Sequence, residues 1–376
     1  MAAEVKRLAR RALEDFRDIK PHRLDEQTLV YPFDEGLAWV ATRYLRTPSR
    51  ALWELYDVEA RRLEPLFDEV QAWIANDESR PWLFDGMRLS VRARDICEFP
   101  ASASQLQGTV KNAIIEGAAR RDLDVRLDPR RPDVHLEVRG TGGQLVVAVD
   151  LAGRGLHARG YRTERTEAPL RENLAAQVLM LARWDVRSEL LLDPMTGSGT
   201  FAIEGACMAR GRPLWAQGAT VTADRLELLA PRPPAADLFA DADPFIVASD
   251  IDEGALRIAR KNARRADVRN QVVWSTDDFR DMTGDHIAAL CARRTGGGEP
   301  PRGGLVVCNP PYGERLEADA DLSADLGRWW RSLGPGWRAA FLVPDRDFPH
   351  WFGAEPKMTK PMANGPLKTT LFVFGE

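Results

Sequence analysis

The second half of the chain alternates short apolar runs with helical segments, and no other feature limits the fold as strongly. Predicted strands occupy 189–192, 245–249, 272–274, 305–307 and 339–342, with helical sequence between them. Strands that are joined through helices form a parallel sheet with crossover connections. The dipeptide Asn364-Gly365 separates two further apolar runs, and it predicts a hairpin at an antiparallel edge of that sheet.

The first part of the chain predicts an α+β fold instead. Apolar positions at helical spacing predict helices over 4–18, from Asp34 onward, over 64–75 and over 104–120. Strands are expected over 28–33, 47–52, 88–93, 135–139 and 144–150, the last two joined by a glycine-rich turn. A basic loop at 157–162 and a long helix over 171–182 lead into the second part. Proline and glycine clusters at 231–234 and 295–304 predict surface insertions.

Composition indicates a soluble globular protein of two or three domains, because 44% of the 376 residues are hydrophobic and 29% are charged. The formal charge of −4 argues against a protein that coats nucleic acid without sequence specificity. Residues 80–187 are nevertheless net basic, which fits a phosphate-facing surface or an ordinary solvated one. The four cysteines and five histidines lack metal or disulfide spacing, so we expect no metal site and a reducing cytosol. No apolar run reaches the roughly 18–20 residues of a membrane helix.

A glycine turn follows the first predicted strand of the second part, where the sequence DPMTGSGT occupies 193–200. Gly197 and Gly199 permit a tight turn and let the backbone approach a ligand. The helix that begins at Thr200 directs its positive end at this turn, which suits the carboxylate of a bound amino-acid group. An ordinary strand-to-helix turn would have the same pattern. Nucleotide triphosphate hydrolysis is disfavoured because the lysine of a phosphate-binding loop is missing.

Acidic residues end the next two predicted strands. Asp250 stands where a carboxylate accepts both hydroxyls of a ribose, and Ile251 beside it is expected to pack on an adenine. Asp252 is expected to cap the helix that begins at 253. At the end of the third strand we favour Asp278 as the acceptor for an adenine amino group, although loop acids facing water fit that position equally well.

The fourth predicted strand ends in the sequence NPPYGER at 309–315. Two prolines cannot continue a strand ladder, and they stiffen the turn. A stiff turn aims the Asn309 side-chain oxygen and the Pro310 carbonyl at one NH₂ group, which directs the nitrogen lone pair and stabilises the developing positive charge. Tyr312 offers a ring on which a flipped base stacks. This corner therefore predicts methyl transfer to an exocyclic amine.

Three segments, at 193–200, 249–252 and 309–316, resemble motifs of class I amino-methyltransferases. The sequences APLRENLA at 168–175 and GYR at 160–162 narrow the likeness to the bacterial THUMP-domain RNA guanine-N2 methyltransferases, especially the 23S rRNA enzymes. YLRTPSR at 44–50 and NGPL at 364–367 are also similar to that group, and the likeness covers most of the chain.

The resemblance implies an α/β protein in which an N-terminal α+β ferredoxin-like/THUMP region precedes a Rossmann-like class I methyltransferase domain. The expected domains are a ferredoxin-like segment at 1–50, a THUMP RNA-binding domain at 51–155 and a methyltransferase domain at 156–376. It implies S-adenosylmethionine as cofactor and structured RNA as partner, with rRNA ahead of tRNA. The implied cofactor-binding residues are Asp193, Met195, Gly197, Gly199, Thr200, Asp250, Ile251, Asp278 and Asn309, and the implied catalytic residues are Asn309, Pro310 and Tyr312.

Basic residues near the predicted domain boundary are candidates for RNA contact. The group comprises Arg154, Arg159, Tyr161, Arg162 and Arg165, and a polar interdomain hinge would have the same composition. Arg315 in the catalytic loop pairs either with a phosphate or with Glu314.

The chain departs from the family in two ways. The usual opening strand with its glycine–leucine pair is absent before Val5, and no second methyltransferase domain follows, so we expect a single activity. Because the same four-residue loop serves adenine N6 and cytosine N4, guanine is inferred from the family alone. A tRNA guanine-N2 methyltransferase stays open as an alternative. A DNA amino-methyltransferase leaves the N-terminal part unexplained, and a non-catalytic RNA-binding or assembly factor would not need Asn309.

Overall fold

The computed structural model describes residues 1–25, 28–76, 81–162, 170–215, 219–226, 234–293, 299–311 and 316–375, the side chains of 316–319 excepted. These residues form two compact units. The first comprises Met1–Leu156 and Leu214–Ala235, and the second comprises His157–Pro213 and Ala236–Glu376.

This division corrects the expectation of one continuous domain over 156–376, because Leu214–Ala235 returns to the first unit. The reason is apolar burial. Leu214 and Trp215 lie in the core of the first unit, and the indole of Trp215 donates a 2.8 Å hydrogen bond to the carbonyl of Thr42. The proline cluster at 231–234 predicted an insertion only near the end of this segment, and it did not indicate that Leu214–Ala235 packs with the first unit.

The helices and strands of Met1–Leu156 are α1 (Ala2–Ala12), β1 (His22–Arg23), β2 (Leu29–Val30), α2 (Glu35–Arg43), β3 (Leu52–Glu59), α3 (Leu63–Asn76), β4 (Arg88–Cys97), α4 (Ala103–Ala119), β5 (Arg126–Leu127), β6 (Val134–Thr141) and β7 (Gln144–Asp150). The remaining elements are α5 (Glu172–Leu181), β8 (Leu190–Asp193), α6 (Thr200–Arg210), α7 (Thr222–Arg225), β9 (Ile246–Ser249), α8 (Glu253–Arg265), β10 (Val273–Ser275), α9 (Gly284–Ala292), β11 (Gly304–Cys308), α10 (Leu316–Ser332), β12 (Trp337–Val343), α11 (Phe348–Phe352), β13 (Met358–Asn364) and β14 (Leu367–Phe374).

The first unit is built on a five-stranded sheet in the order β3-β7-β6-β4-β5. Alternate residues of its strands point to opposite faces. One face carries apolar side chains such as Leu89, Leu136 and Val147, which form a core with α3 and α4. The other face carries charged and polar side chains, because Ser90 pairs in register with His135 and Arg92 with Glu137. The sheet therefore has one packed apolar face and one polar face.

In the described part of residues 1–50, the structure does not bring together the strands of a ferredoxin-like fold. In the described part of this range there are two helices, α1 and α2, and one antiparallel ladder of two residues per strand, β1 with β2. A ferredoxin-like fold needs a four-stranded sheet, and the strands of the first unit that form a larger sheet begin only at Leu52. The helix N-cap expected at Asp34 is present, since its carboxylate accepts from the Leu37 amide at 2.8 Å.

The second unit has a seven-stranded sheet in the order β10-β9-β8-β11-β12-β14-β13. The first five strands of this order run parallel, while β14 pairs antiparallel with β12 and with β13. Two apolar cores cover its faces, one with α5, α6 and α8 and the other with α9, α10 and α11. The predicted mixed α/β fold with its parallel sheet and antiparallel edge is confirmed. None of the described helices is both long and apolar enough to span a membrane.

Candidate active site

Two strand ends that carry the predicted motifs lie side by side. The strands β8 and β11 are parallel neighbours, with Leu192 in register with Val306. Asp193 therefore ends one strand where Asn309 follows the other, at the same edge of the sheet. The strand β9 pairs with the other side of β8, which brings Asp250 to this edge as well. Ligand sites of open α/β sheets lie at such carboxyl ends.

Hydrogen bonds join the glycine turn after β8 to the end of β9. The amide of Gly197 donates to Oδ2 of Asp250 at 2.7 Å, and the amide of Thr196 donates to the carbonyl of Ser249 at 2.9 Å. Gly197 has φ +52°, and no described atom lies within 4 Å of the position that a Cβ would take there. The turn is thus held rigidly and leaves open space at Gly197.

Gly199 has a structural role that the sequence analysis did not predict. Its φ is +85°, and a Cβ at this position would lie 3.0 Å from Cβ of Ala259 in α8. Glycine is therefore required here for the left-handed backbone and for close packing of two protein segments.

Asp193 is buried within this edge and is an unusual carboxylic acid. Its Oδ2 accepts from the Thr196 hydroxyl at 2.7 Å, whereas its buried Oδ1 has no hydrogen-bond partner among the described residues. The pKa of Asp193 is raised to about 7, mainly by burial. The Thr196 hydrogen bond lowers it, and the nearby Asp250 carboxylate adds to the rise. A buried acceptor without a partner is a costly feature that a bound donor or cation would relieve.

Asp250 holds two backbone amides at once. Beside the bond from Gly197, its Oδ1 accepts from the Asp252 amide at 3.0 Å. The predicted helix cap is confirmed, since the Asp252 side chain accepts from the Gly254 amide at 2.7 Å. Between these two acids, the side chain of Ile251 is 72% exposed. An apolar side chain so exposed next to a carboxylate offers a surface for a flat apolar group.

The acids after β10 already have protein partners. The Asp278 carboxylate accepts from the Arg280 amide at 2.9 Å and pairs with its guanidinium at 3.1 Å, and Arg280 also pairs with Asp325 at 2.8 Å. Asp277 accepts from the Ser275 hydroxyl and from His286, and these contacts lower its pKa, the first more than the second. Any ligand contact at Asp278 would have to share a carboxylate that is already bound to arginine.

The amide-bearing corner follows β11 directly. Asn309 is half-buried, Pro310 is buried and Pro311 is exposed. The pKa of the Cys308 thiol just before them is raised well above its usual value by burial and by the carboxylates of Asp193 and Asp250, so the two corners are electrostatic neighbours. Tyr312 and Arg315 lie outside the described residues, as does Arg165.

Two of the predicted RNA contacts are interior residues, which corrects the sequence analysis. The side chain of Arg159 is 1% exposed, and its guanidinium lies 3.6 Å from the fully buried carboxylate of Glu204 in α6. The Tyr161 hydroxyl donates to the same carboxylate at 3.2 Å. Burial keeps both side chains away from solvent, so they stabilise the second unit and do not present a surface to RNA.

Arg162 is a third correction of the same kind. Its guanidinium donates to the Thr200 hydroxyl at 2.8 Å and to the Leu170 carbonyl at 2.6 Å, and it lies 3.6 Å from the carboxylate of Glu172. The hydroxyl of Thr200, predicted as a cofactor contact, is thus buried against Arg162 and fixes the first residue of α6. Arg154 differs from these residues, because it is exposed in the first unit with its guanidinium 4.2 Å from the ring centroid of Trp215.

Sequence reasoning did not identify Thr196, Ser249, Glu172 or Glu204. The Thr196 hydroxyl donates to the Asp193 carboxylate. The Ser249 hydroxyl donates to the backbone carbonyl of Asp277 at 2.8 Å. The two glutamates had a readable signal, because each is an acid within an otherwise apolar helix. Such an acid indicates a buried cation partner.

Comparison with known families gives one match that covers most of the second unit. The family described as "RMKL-like, methyltransferase domain" matches residues 159–372. The matched range includes the glycine turn, Asp250 and the corner at Asn309.

Curated relatives and solved structures agree with this match. The protein is 31% identical to "Ribosomal RNA large subunit methyltransferase K/L" of Methylococcus capsulatus over 88% of this chain and 44% of that protein. It is 35% identical to the protein of the same name from Syntrophotalea carbinolica over 70% of this chain and 38% of that one. The chain thus spans less than half the length of these two relatives. The crystal structure of SMU.472, a putative methyltransferase complexed with SAH, is 25% identical with a TM-score of 0.75, covering 99% of this chain and 95% of that chain.

Proposed function

The chain belongs to the RMKL-like methyltransferase-domain family, and on this premise we propose that it transfers a methyl group from S-adenosylmethionine to N2 of a guanine in 23S rRNA. Two curated relatives are named as large-subunit rRNA methyltransferases, which supports ribosomal RNA as the substrate class. The chain spans less than half the length of each relative, so the activity in their names is only proposed for this chain.

One observation carries the proposal more than any other. The glycine turn after Asp193 and the corner at Asn309 end neighbouring parallel strands, so a donor held at the first faces an acceptor held at the second. Holding two reactants in one orientation turns a reaction between two molecules into an effectively intramolecular step. An amine acceptor beside a methyl donor is the arrangement that the reaction needs.

The residues of the first corner fit S-adenosylmethionine. Oδ1 of Asp193 is a buried acceptor without a protein partner, and the space beside Gly197 is open. Asp250 is assigned to the ribose hydroxyls, Ile251 to the adenine face and Asp278 to the adenine amino group, while Met195 lines the same turn. When bound, the cofactor supplies a methyl group activated on a sulfonium. A relative of known structure with bound SAH supports this assignment.

The residues of the second corner act on the amine. The side-chain oxygen of Asn309 and the carbonyl of Pro310 accept the two protons of the NH₂ group, which orients the nitrogen lone pair and stabilises the positive charge that develops on it. The half-buried position of Asn309 limits competition by water. Tyr312 is assigned to stacking on the flipped base, and Arg315 to a phosphate.

The first unit is assigned to gripping structured RNA, as a THUMP module over 51–155 would. The exposed Arg154 supports this role. With an RNA substrate of this kind, the protein is assigned to the cytoplasm.

The proposal is tested by comparing the modified nucleosides of rRNA and tRNA from cells with and without this gene by mass spectrometry. We expect N2-methylguanosine to fall in large-subunit rRNA and to stay unchanged in tRNA. Loss from tRNA alone would favour the tRNA alternative, and unchanged nucleosides in both pools would contradict the proposal. Complementation with the Asn309→Ala variant serves as the matched control, since it should restore the protein without restoring the modification.

A further inference from the structure

The first unit contains a cleft of about 390 Å³ that the methyl-transfer site does not use. Arginines from separate segments of the unit converge on it. Arg88 opens β4, Arg130 and Arg131 lie in the loop after β5, Arg154 follows β7, and Arg225 belongs to α7. None of the lining residues is acidic. Five cationic side chains thus meet in one concave space.

The carboxylates nearest the cleft neutralise only part of this charge. Asp133 pairs with Arg88 at 2.7 Å and lies 3.6 Å from Arg225. Asp128 accepts from the backbone amides of Arg130 and Arg131, at 3.0 and 2.9 Å, and so fixes the loop and not the guanidinium groups. Within the described part of the chain, the structure records no ion pair for the guanidinium of Arg130 or Arg131.

His135 also lines the cleft, and its buried Nδ1 has no hydrogen-bond partner among the described residues. The pKa of His135 is lowered to about 4, mainly by burial and also by the positive charges of Arg92, Arg50 and Arg225. Two carboxylates on the same sheet face, Asp150 and Glu137, are both engaged by Arg50.

Arg154, on another part of the cleft lining, also has a cationic neighbour. Burial lowers the pKa of Arg154, and the neighbouring Arg43 lowers it further. Arg43 is itself paired with Asp224. The cations around this cleft therefore repel one another in the free protein, and an anion would relieve that repulsion.

We propose that this cleft binds a phosphate group of the RNA substrate through Arg130, Arg131 and Arg154. Guanidinium forks match phosphate oxygens in geometry, and convergent arginines are a recurrent means of phosphate recognition. The inference rests on the proposed function for the identity of the ligand, since RNA is the phosphate-bearing partner assigned to this unit. The phosphate is either an internal diester of the backbone or a terminal monophosphate, and the cleft volume is within the range of small-ligand sites.

A phosphate in this cleft must change the proton affinity of His135. We would titrate the full chain, labelled with ¹⁵N in histidine, with inorganic phosphate at constant ionic strength and assign the signal with the His135→Gln variant. Bound phosphate should raise the pKa of His135, because it opposes the arginine charges that hold that pKa down. A His135 signal that keeps the same pKa at saturating phosphate would overturn the proposal.

Paired variants identify which phosphate is bound. Arg130→Gln with Arg131→Gln removes two charges in the cleft, and Arg61→Gln with Arg62→Gln removes two exposed charges of the same unit just before α3 as the matched control. We would measure the affinity of each variant for one RNA hairpin with a 5′-phosphate and with a 5′-hydroxyl. We expect the cleft variant alone to lose affinity by about tenfold or more. Its salt dependence should fall by about one phosphate contact.

The two hairpins separate the two sources. An equal loss for both hairpins assigns the cleft to an internal diester, and a loss confined to the 5′-phosphorylated hairpin assigns it to a terminal monophosphate. Equal affinities of the cleft variant and the control variant would overturn the proposal. The histidine titration needs no methyl transfer, so it still succeeds or fails by itself if the proposed function is wrong.

Discussion

The backbone amide of Gly197 donates a 2.7 Å hydrogen bond to Oδ2 of Asp250. This bond joins the turn after β8 to the end of β9 and so makes one rigid edge from two motifs that are far apart in the chain. The second oxygen of Asp250 accepts from the Asp252 amide at 3.0 Å. Asp250 therefore shapes the proposed cofactor site in addition to any contact that it makes with the ribose.

Asp250→Ala should weaken S-adenosylmethionine binding by about 1–3 kcal/mol, because the ribose hydroxyls and the Gly197 amide both lose an acceptor. Isothermal titration calorimetry measures this directly. Asp252→Ala is the matched control, since it removes a helix cap worth about 1 kcal/mol of folding stability and should leave the cofactor affinity almost unchanged. Equal affinities for the Asp250 variant and the natural chain would refute the ribose assignment.

Asp193 should make the protein less stable as the pH rises from about 4 to about 7. Its pKa in the folded state is raised to about 7, whereas an exposed carboxyl titrates near about 3.9 in the unfolded chain. The folded state thus holds a proton that the unfolded state has released, and this contribution is complete below about pH 4 and lost as the pH passes about 7.

The Asp193→Asn variant lacks this proton, so the comparison isolates the effect. Between about pH 5 and 7, the free energy of unfolding of the natural chain should fall relative to the variant by up to about 1.4 kcal/mol per pH unit. Urea unfolding at several pH values measures the difference. Parallel pH profiles for the two proteins would show that Asp193 keeps an ordinary carboxyl pKa.

Arg162→Ala should destabilise the folded protein by about 3–5 kcal/mol, because it leaves the buried Glu172 carboxylate and the Thr200 hydroxyl without their guanidinium partner. Arg154→Ala is the control for stability alone, because Arg154 is itself assigned to the phosphate cleft, and its loss of one ring contact should cost less than about 1 kcal/mol. Urea unfolding gives both values, and RNA affinity is measured alongside. If Arg162→Ala instead kept full stability and bound RNA more weakly, Arg162 would be an RNA contact after all.

The parallel sheet could be predicted because its strands are buried on both faces and appear as continuous apolar runs, such as 190–192 and 304–308. The cap at Asp252 and the edge hairpin at Asn364 depend on neighbouring residues, so they too were visible in the sequence. Strand β5 has only two residues, both exposed, and it escaped prediction because nothing apolar marks it.

What the sequence could not show depends on contacts between distant segments. Arg159 and Tyr161 look like a basic surface loop, and only the position of Glu204 in α6 makes them interior residues. Gly199 looks like a ligand glycine until Ala259 is found 3.0 Å from its missing Cβ. Membership of Leu214–Ala235 in the first unit is of the same kind, because the core that receives it is encoded elsewhere in the chain.

The central claim is that Asn309 works on an amine held beside a donor in one crevice. Its most direct test is the rate of transfer of labelled methyl from S-adenosylmethionine to large-subunit rRNA by the natural chain and by Asn309→Ala, with cofactor affinity measured on the same samples. We predict nearly intact cofactor affinity and turnover lowered by about 10²–10³-fold, the loss typical of one preorganised charge-stabilising group. Turnover of the variant equal to that of the natural chain would contradict the account.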